Sequence, residues 1–368
     1  MKILAVFGTR PEAIKMCPLV IELKKHPEIE CEICLTGQHK EMLRQVMDAF
    51  DLHEDYNLDI MRPQQTLTTI TTDILQKIES VLKSVKPNVV LVHGDTTTSF
   101  AAALAAFYQQ IPVGHVEAGL RTGNIYSPYP EELNRLLTGR IATYHFAPTI
   151  NNKLNLEREN VRNNIFVTGN TVIDAFKYTV KDDYVFSNAT LNNLDYNKKI
   201  ITVTAHRREN LGEPLYNICK ALKRIAEENK DIEIVYPVHL NPAVRNIVYE
   251  TLSSQTRVKL IDPLDVLDMH NLISRSYMVM TDSGGLQEEA PAFGKPVLVL
   301  RTETERPEAV EAGTVKIVGI DENHIYNESM RLLLDKKMYG DMARAVNPYG
   351  DGHASERITE ILMKNIGV

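Results

Sequence analysis

The residues able to do chemistry in this chain come in short polar runs, each placed directly after an apolar, strand-length segment. The first run is Gly8-Thr9-Arg10-Pro11-Glu12-Ala13-Ile14-Lys15. Gly8 permits a tight turn, Pro11 suits a first helical turn, and Arg10 and Lys15 set two cations beside a helix N-terminus. That arrangement attracts a phosphate; an ordinary strand-to-helix turn with solvated cations has the same composition. A G-x-G-x-x-G run is absent, which weighs against a nicotinamide site.

Three carboxylates follow in the same half of the chain. Asp95 lies in Gly94-Asp95-Thr96-Thr97-Thr98, Glu117 in His115-Val116-Glu117-Ala118-Gly119, and Glu131 opens Glu131-Glu132-Leu133-Asn134-Arg135 after two prolines. Any one of them is explained by helix capping or by the favourable placement of acids in a first turn. Gathered at the carboxyl edge of one sheet, grouped carboxylates shift each other's proton affinity, as a proton-transfer site requires.

The second half supplies its own runs. Ala205-His206-Arg207-Arg208-Glu209-Asn210 places a histidine beside two arginines after a strand and points to an anion. In Asp282-Ser283-Gly284-Gly285-Leu286-Gln287-Glu288-Glu289, the residues Ser283, Gly284 and Gly285 offer backbone N–H groups to a pyrophosphate. Glu289, one helical turn on, is placed to accept from ribose hydroxyls, and Arg301 and Arg306 follow the next strand. A helix simply opened by Asp282 or Ser283 as N-cap reads the same way.

The elements that must position these runs are those of an α/β protein. Strand segments Ile3–Phe7, Ile29–Leu35, Val89–His93, Pro112–His115, Tyr144–Phe146 and Ile165–Val167 alternate with helical segments such as Glu12–Lys25, Leu67–Val85, Thr98–Tyr108 and Glu131–Ile141. Apolar faces on both sides of Val89-Val90-Leu91-Val92 fit a parallel sheet covered by helices. The rhythm lapses from Phe176 to Lys199, which reads as an inter-domain connection. It restarts with Ile200–Thr204, Ile232–Tyr236, Val258–Leu260, Met278–Thr281 and Val297–Leu300. Two doubly wound, Rossmann-like domains follow, with ligands expected at the carboxyl ends of the strands and, where the domains face each other, in the cleft between them.

A length of 368 residues suits two such domains, and a net charge of -7 argues against a general nucleic-acid or membrane-surface binder. Cys31 and Cys34 form a C-x-x-C inside a strand segment with no second pair; with Cys17 and Cys219 they read as reduced, partly buried thiols of a cytoplasmic protein. No apolar run approaches the roughly 20 residues of a membrane span, and Met1-Lys2 leads straight into a strand.

Taken together, Gly8 to Met16 (GTRPEAIKM), His93 to Thr98 (HGDTTT), His115 to Gly123 (HVEAGLRTG), Pro130 to Arg135 (PEELNR), Thr204 to Asn210 (TAHRREN) and Thr281 to Pro291 (TDSGGLQEEAP) resemble the ordered motifs of the non-hydrolysing UDP-N-acetylglucosamine 2-epimerases. The resemblance spans nearly the whole chain. It implies a GT-B architecture of residues 1–170 plus 353–368 and residues 171–352, with Ala354 to Ile366 as a helix returning to the first domain. It implies interconversion of UDP-GlcNAc and UDP-ManNAc through 2-acetamidoglucal, without cofactor or metal. Catalytic roles fall to Asp95, Glu117, Glu131 and His206. Substrate contacts fall to Arg10, Lys15, Arg135, Met269, Ser283, Gly284, Gly285, Glu289 and Arg306, with Met269 where the family often has an aromatic beside the uracil. The expected partners are the two nucleotide sugars and a second copy of the chain, with no nucleic acid and no membrane.

The resemblance also bears on regulation. Bacterial members are often activated by UDP-GlcNAc at a second site, which by motif alignment corresponds here to Gln38, Glu41, Gln64 and His239. Glu41 and Gln64 stand where relatives carry a glutamine and an arginine, changes that remove attraction for a diphosphate. A GT-B glycosyltransferase, a hydrolysing relative and a catalytically dead UDP-sugar sensor are the alternatives; incubation with UDP-GlcNAc alone separates them.

Overall fold

The computed structural model describes residues 1–37, 40–62 and 64–367, with residues 40–42 described by their backbone only. It resolves into two compact units, Met1–Tyr178 with Tyr349–Val368, and Thr179–Pro348.

The first unit is a seven-stranded parallel sheet. Its strands are β1 (Lys2–Phe7), β2 (Glu30–Leu35), β3 (Tyr56–Asn57), β4 (Val89–His93), β5 (Val113–Val116), β6 (Tyr144–Ala147) and β7 (Ile165–Val167), in the order β3-β2-β1-β4-β5-β6-β7. The order reverses between β1 and β4, so the loops after these strands diverge and leave a crevice at their carboxyl ends. β4 is buried along its whole length, which requires cover on both faces. Part of that cover is the helix Leu67–Val85, whose Ile70, Ile74, Ile78, Val81, Leu82 and Val85 recur at helical spacing. They pack with Ala101, Ala102, Ala105 and Ala106 of the helix Thr97–Tyr108, where small side chains let the two helices approach closely.

The chain re-enters this unit at its end. The helix Ala354–Ile366 packs on the helix Arg10–Lys24. Asp174 fixes its start by accepting from the backbone N–H of Ser355 at 2.7 Å and of Ala354 at 3.2 Å. The residues on either side of the crossing are Gly169 and Gly350, both with positive φ; a Cβ on Gly169 would lie 3.3 Å from the Gly350 Cα.

The second unit holds six parallel strands: β8 (Lys199–Thr204), β9 (Ile232–Pro237), β10 (Val258–Ile261), β11 (Met278–Thr281), β12 (Val297–Val299) and β13 (Val315–Ile317), in the order β10-β9-β8-β11-β12-β13. Its reversal lies between β8 and β11. Leu215, Ile218, Cys219, Leu222 and Ile225 of the helix Glu213–Glu228 recur at helical spacing and fill one side of the core.

Two short strands, β3 and β13, go beyond the elements expected from sequence, and the segment from Phe176 to Lys199 corrects the expected connection. Phe186, Leu191 and Leu194 are buried with Ile200, Val235, Ile261 and Leu272 in one apolar cluster of the second unit. The wholly buried Asp268 accepts from Tyr184 Oη at 2.8 Å and from Ser187 Oγ at 2.6 Å. Polar residues of this stretch satisfy turns within a packed layer, Asn192 bonding the Phe186 backbone in both directions and Asn193 Nδ2 donating to the Ala189 carbonyl at 3.0 Å. The units divide after Tyr178 and before Tyr349, so the helix Thr171–Thr179, all but its last residue, and residues 349–352 belong with the first unit.

All four cysteines are free and buried, and burial pushes the thiols of Cys31, Cys34 and Cys219 up to about 12. Among the described residues no helix is long and apolar enough to cross a membrane, and no three His, Cys, Asp or Glu side chains are grouped to hold a metal.

Candidate active site

In the first unit the reversal of strand order brings Gly8, Asp95 and Glu117 to neighbouring strand ends. Thr9 caps the helix Arg10–Lys24, and Glu12 completes the reciprocal capping box. Glu12 does more than cap. It is buried, and its Oε2 accepts from the backbone N–H of Gly8 at 3.0 Å and of Thr9 at 2.7 Å. Its Oε1 accepts from Thr96 Oγ1 at 2.6 Å and Ser99 Oγ at 3.2 Å. The loop after β1 and the loop after β4 are thus tied through one carboxylate, which burial shifts towards its protonated form. Gly8 is required by space rather than by the turn: a Cβ there would lie 1.9 Å from Thr36 Oγ1 and 2.9 Å from Thr98 Oγ1.

Register then sets the acids. His93 pairs with Val116 across β4 and β5, so Gly94 and Glu117 leave adjacent strands side by side. Glu117 has a positive φ of 61°, an uncommon conformation for a residue with a side chain. Its carboxylate is ion-paired with Lys15, accepts from Asn170 Nδ2 at 2.9 Å, and lies 3.5 Å from the buried His93 Nε2. Asp95 is ion-paired with Arg135, while Asn134 Nδ2 donates to the Asp95 carbonyl at 3.0 Å. Burial raises the Asp95 carboxyl; Arg135 opposes that shift and the nearby negative charge of Glu117 adds to it.

Glu131 begins the helix Glu131–Ile141, half-exposed, one turn before Arg135. Its neighbour Glu132 is the buried one. Glu132 accepts from the backbone N–H of Thr122 and Gly123, each at 3.0 Å, and lies 3.1 Å from Arg135 Nη1. Glu132 therefore fixes both the loop after Glu117 and the arginine that pairs Asp95. Beneath the acids lie three buried histidines on adjacent strands. Burial lowers His93 and His145 to about 4 and His115 to about 3, so all three are neutral rings at pH 7.

The second unit repeats the arrangement at its own reversal. Thr204 pairs with Thr281 across β8 and β11, so the loops carrying His206 and Ser283 begin next to each other. Asp282 is wholly buried and binds the His206 loop rather than capping a helix. The half-exposed His206 ring is stacked on His239, centroids 5.0 Å apart and planes within 9°. Burial lowers the His206 imidazole, His239 and Arg207 add to this, and Asp282 opposes it.

Ser283 stands at the start of the short helix Gly284–Glu289 with its side chain making no capping bond. The Arg306 guanidinium lies over Gly284, where a Cβ would come within 3.4 Å of Nη2, and it is ion-paired with Glu288. Glu289 lies above Gly285, its Oε2 3.8 Å from His270 Nε2. Met269 is half-buried against the apolar cluster around Phe186 and Leu264. Arg301 is buried behind the His206 loop, with Nε 2.7 Å from Glu209.

The expected residues therefore fall into two groups, one on each unit. Arg10, Lys15, Asp95, Glu117, Glu131 and Arg135 belong to the first, and His206, Met269, Ser283, Gly284, Gly285, Glu289 and Arg306 to the second. Of the expected effector residues, Gln38 lies outside the described residues, as does the Glu41 side chain; Gln64 is exposed with a φ of 58°, and His239 stacks on His206. Sequence reading missed Glu12, Glu132, Asn170 and Asp282 as organisers. Only Glu12 carried a local signal, its capping-box spacing from Thr9.

A sequence model of the UDP-N-acetylglucosamine 2-epimerase family matches residues 21–363. The chain is 56% identical over 368 residues to the UDP-N-acetylglucosamine 2-epimerase of Bacillus subtilis, covering 100% of this chain and 96% of that protein. It is 55% identical over 373 residues to the enzyme of that name from Escherichia coli K12, covering 99% of each. The crystal structure of UDP-GlcNAc 2-epimerase from Neisseria meningitidis bound to UDP-GlcNAc superposes with a TM-score of 0.89 at 50% identity, covering 99% of this chain and 100% of that one. The two Rossmann-like units are those of the GT-B fold that such structural neighbours share. With matches of this identity over its whole length, the chain belongs to the UDP-N-acetylglucosamine 2-epimerase family.

Proposed function

We propose that this chain is an isomerase that interconverts UDP-N-acetylglucosamine and UDP-N-acetylmannosamine without hydrolysis, as a homodimer, and that the product feeds cell-envelope polysaccharide synthesis. The observation that carries the chemistry is the pairing of two differently held carboxylates at one strand-order reversal. Glu117 is kept available as a base by Lys15 and Asn170. Asp95 is pushed towards protonation by burial and by Glu117, which suits a proton donor.

The reaction proceeds by elimination and re-addition. A carboxylate removes the C2 proton, the C1–O bond breaks with its electron pair leaving on UDP, and 2-acetamidoglucal forms. A second acid protonates C2 from the opposite face and UDP re-adds at C1. Asp95, Glu117 and Glu131 divide these proton transfers. The C2 proton is weakly acidic, so much of the barrier falls on stabilising the departing diphosphate. Cations and N–H donors suited to that are Arg10 and Lys15 on one unit and His206, Ser283, Gly284, Gly285 and Arg306 on the other. His206 acts as acid on the leaving phosphate, and Glu289 receives the ribose hydroxyls. The relatives named for this activity, and the Neisseria structure named for its bound UDP-GlcNAc, support the reading.

Incubation with UDP-GlcNAc alone tests it. UDP-ManNAc is expected. Free N-acetylmannosamine with UDP would mean a hydrolase, and unchanged substrate would mean a transferase or a sensor. In deuterated water the early product is expected to carry deuterium at C2.

A further inference from the structure

The carboxylate of Asp282 is used asymmetrically. Its Oδ2 accepts three bonds, from the backbone N–H of His206 at 2.7 Å, the backbone N–H of Arg207 at 2.8 Å and Asn210 Nδ2 at 3.0 Å. Its Oδ1 is buried without a hydrogen-bond partner and lies 3.8 Å from His206 Nδ1. Buried carboxylate oxygens are normally satisfied, and catalytic hydrogen bonds are often long before a substrate closes the site. A proton on Nδ1 is the donor this geometry leaves for Oδ1.

That proton matters because the reaction runs in both directions through one nitrogen. When the C1–O bond breaks, the electron pair goes to the UDP oxygen and a proton from the imidazolium Nε2 neutralises it. When UDP re-adds, the same Nε2 must be bare to take the proton back. A neutral ring held as the Nδ1–H tautomer meets that need, whereas the Nε2–H tautomer blocks it. We infer that Asp282 is the positioning residue of His206: Oδ1 holds Nδ1–H, and Nε2 is thereby fixed as the nitrogen that exchanges a proton with the leaving diphosphate. The inference rests on the role given to His206 above.

The groups facing the ring are the Asp282 carboxylate, the His239 ring stacked on it and the Arg207 guanidinium; the first favours the imidazolium and the other two oppose it. In Asp282→Asn the amide oxygen can keep the three donors, while the amide NH₂ faces Nδ1 and demands an acceptor there. The variant should keep the loop and reverse the tautomer.

The test uses protein labelled with ¹⁵N-histidine and long-range ¹H–¹⁵N correlation spectra without ligand, with His206→Gln to assign the signal. The neutral wild-type ring is expected as Nδ1–H, and the Asp282→Asn ring as Nε2–H, titrating about one pH unit or more lower. Turnover in Asp282→Asn is expected to fall about a hundredfold or more, with KM within a few-fold and the thermal midpoint near wild type. A wild-type ring found as Nε2–H, or Asp282→Asn with wild-type turnover, overturns the inference. Should Asp282→Asn not fold, the wild-type tautomer alone decides. The tautomer is read without substrate, so a wild type with the Nδ1–H ring but no epimerase activity would sink the reading of the reaction and leave the positioning assignment standing.

Discussion

Asn170 donates from Nδ2 to Oε1 of Glu117 across 2.9 Å, and Asn170 is itself held by the returning end of the chain, its backbone N–H donating to the Tyr349 carbonyl at 2.6 Å. The orientation of the carboxylate after β5 thus depends on a residue after β7 and on a segment nearly at the C-terminus. Asn170→Ala removes a hydrogen bond to a charged group, worth about 1.5–3 kcal/mol. Turnover is expected to fall roughly ten- to a hundredfold, with KM for UDP-GlcNAc changed much less. Initial-rate kinetics check this; wild-type kcat in Asn170→Ala would show that Glu117 is oriented without Asn170.

The three acids should each matter to the chemical step. Asp95→Asn, Glu117→Gln and Glu131→Gln are expected to lower kcat by about 10²-fold or more, the scale of general acid–base catalysis. Binding of UDP, measured by calorimetry, should change little. Glu131 is half-exposed and its neighbour Glu132 buried, so near-normal turnover in Glu131→Gln would move its role to Glu132.

Acid should destabilise the first unit before any chemistry is lost to covalent damage. His93 and His145 are lowered to about 4 and His115 to about 3 by burial. A histidine whose folded pKa lies below its unfolded value near 6.5 contributes stability that is present above pH 6.5. That stability is lost as pH falls through the folded pKa. At pH 4 the loss is on the order of 3 kcal/mol for a histidine lowered to about 4. Glu12 and Asp95, raised by burial, act in the opposite direction. The melting midpoint is expected to drop steeply between pH 6.5 and 4, and His145→Asn should flatten that slope. An unchanged slope in that variant would remove His145 from the account.

Gly8→Ala places a methyl carbon 1.9 Å from Thr36 Oγ1. The loop holding Arg10 must shift or the fold must give way, at a cost typical of overpacking, about 1–3 kcal/mol. Because the tightest clash is with the Thr36 hydroxyl, Thr36→Ala in the same chain should restore part of the lost midpoint. A double variant no more stable than Gly8→Ala would place the strain at Thr98 instead, 2.9 Å from the same carbon.

Glu41 and Gln64 replace a glutamine and an arginine at the expected effector positions, and a lost charge-assisted phosphate contact is worth on the order of 1.5–3 kcal/mol. Allosteric coupling is typically only about 1–3 kcal/mol. The enzyme is therefore expected to convert UDP-ManNAc without added UDP-GlcNAc, with a near-hyperbolic rate curve. An absolute requirement for UDP-GlcNAc at the outset of that reverse reaction would count against the alignment of Glu41 and Gln64 with that site.

What the sequence determined by itself is the set of strand ends and the polar runs that follow them. Val89–His93, Ile165–Val167 and Met278–Thr281 were legible to the residue because apolar runs of strand length end abruptly there in glycine, aspartate or threonine. Arg10, Asp95, Glu117, His206 and Ser283 stand out as candidates for the same reason: each follows a strand, and the motifs containing them resemble one family. The tertiary structure decided which of these residues are held, and by what. Glu12, Glu132, Asn170 and Asp282 look like ordinary helix-start or turn residues in one dimension. Glu12, Asn170 and Asp282 are committed by partners far along the chain, as when Asp282 takes the N–H of His206 or Asn170 takes its place under Tyr349; Glu132 is committed by the loop after Glu117. The chain does pass between the units within Phe176 to Lys199, at Tyr178, but most of that stretch is packed, and its sequence hides this for a related reason. Its polar residues satisfy backbone groups within turns, while Phe186, Leu191 and Leu194, too sparse to show a period, are buried by strands that begin only after them. Local spacing reports what a segment prefers. Burial, strand order and the pairing of distant polar groups exist only once the sheets have formed.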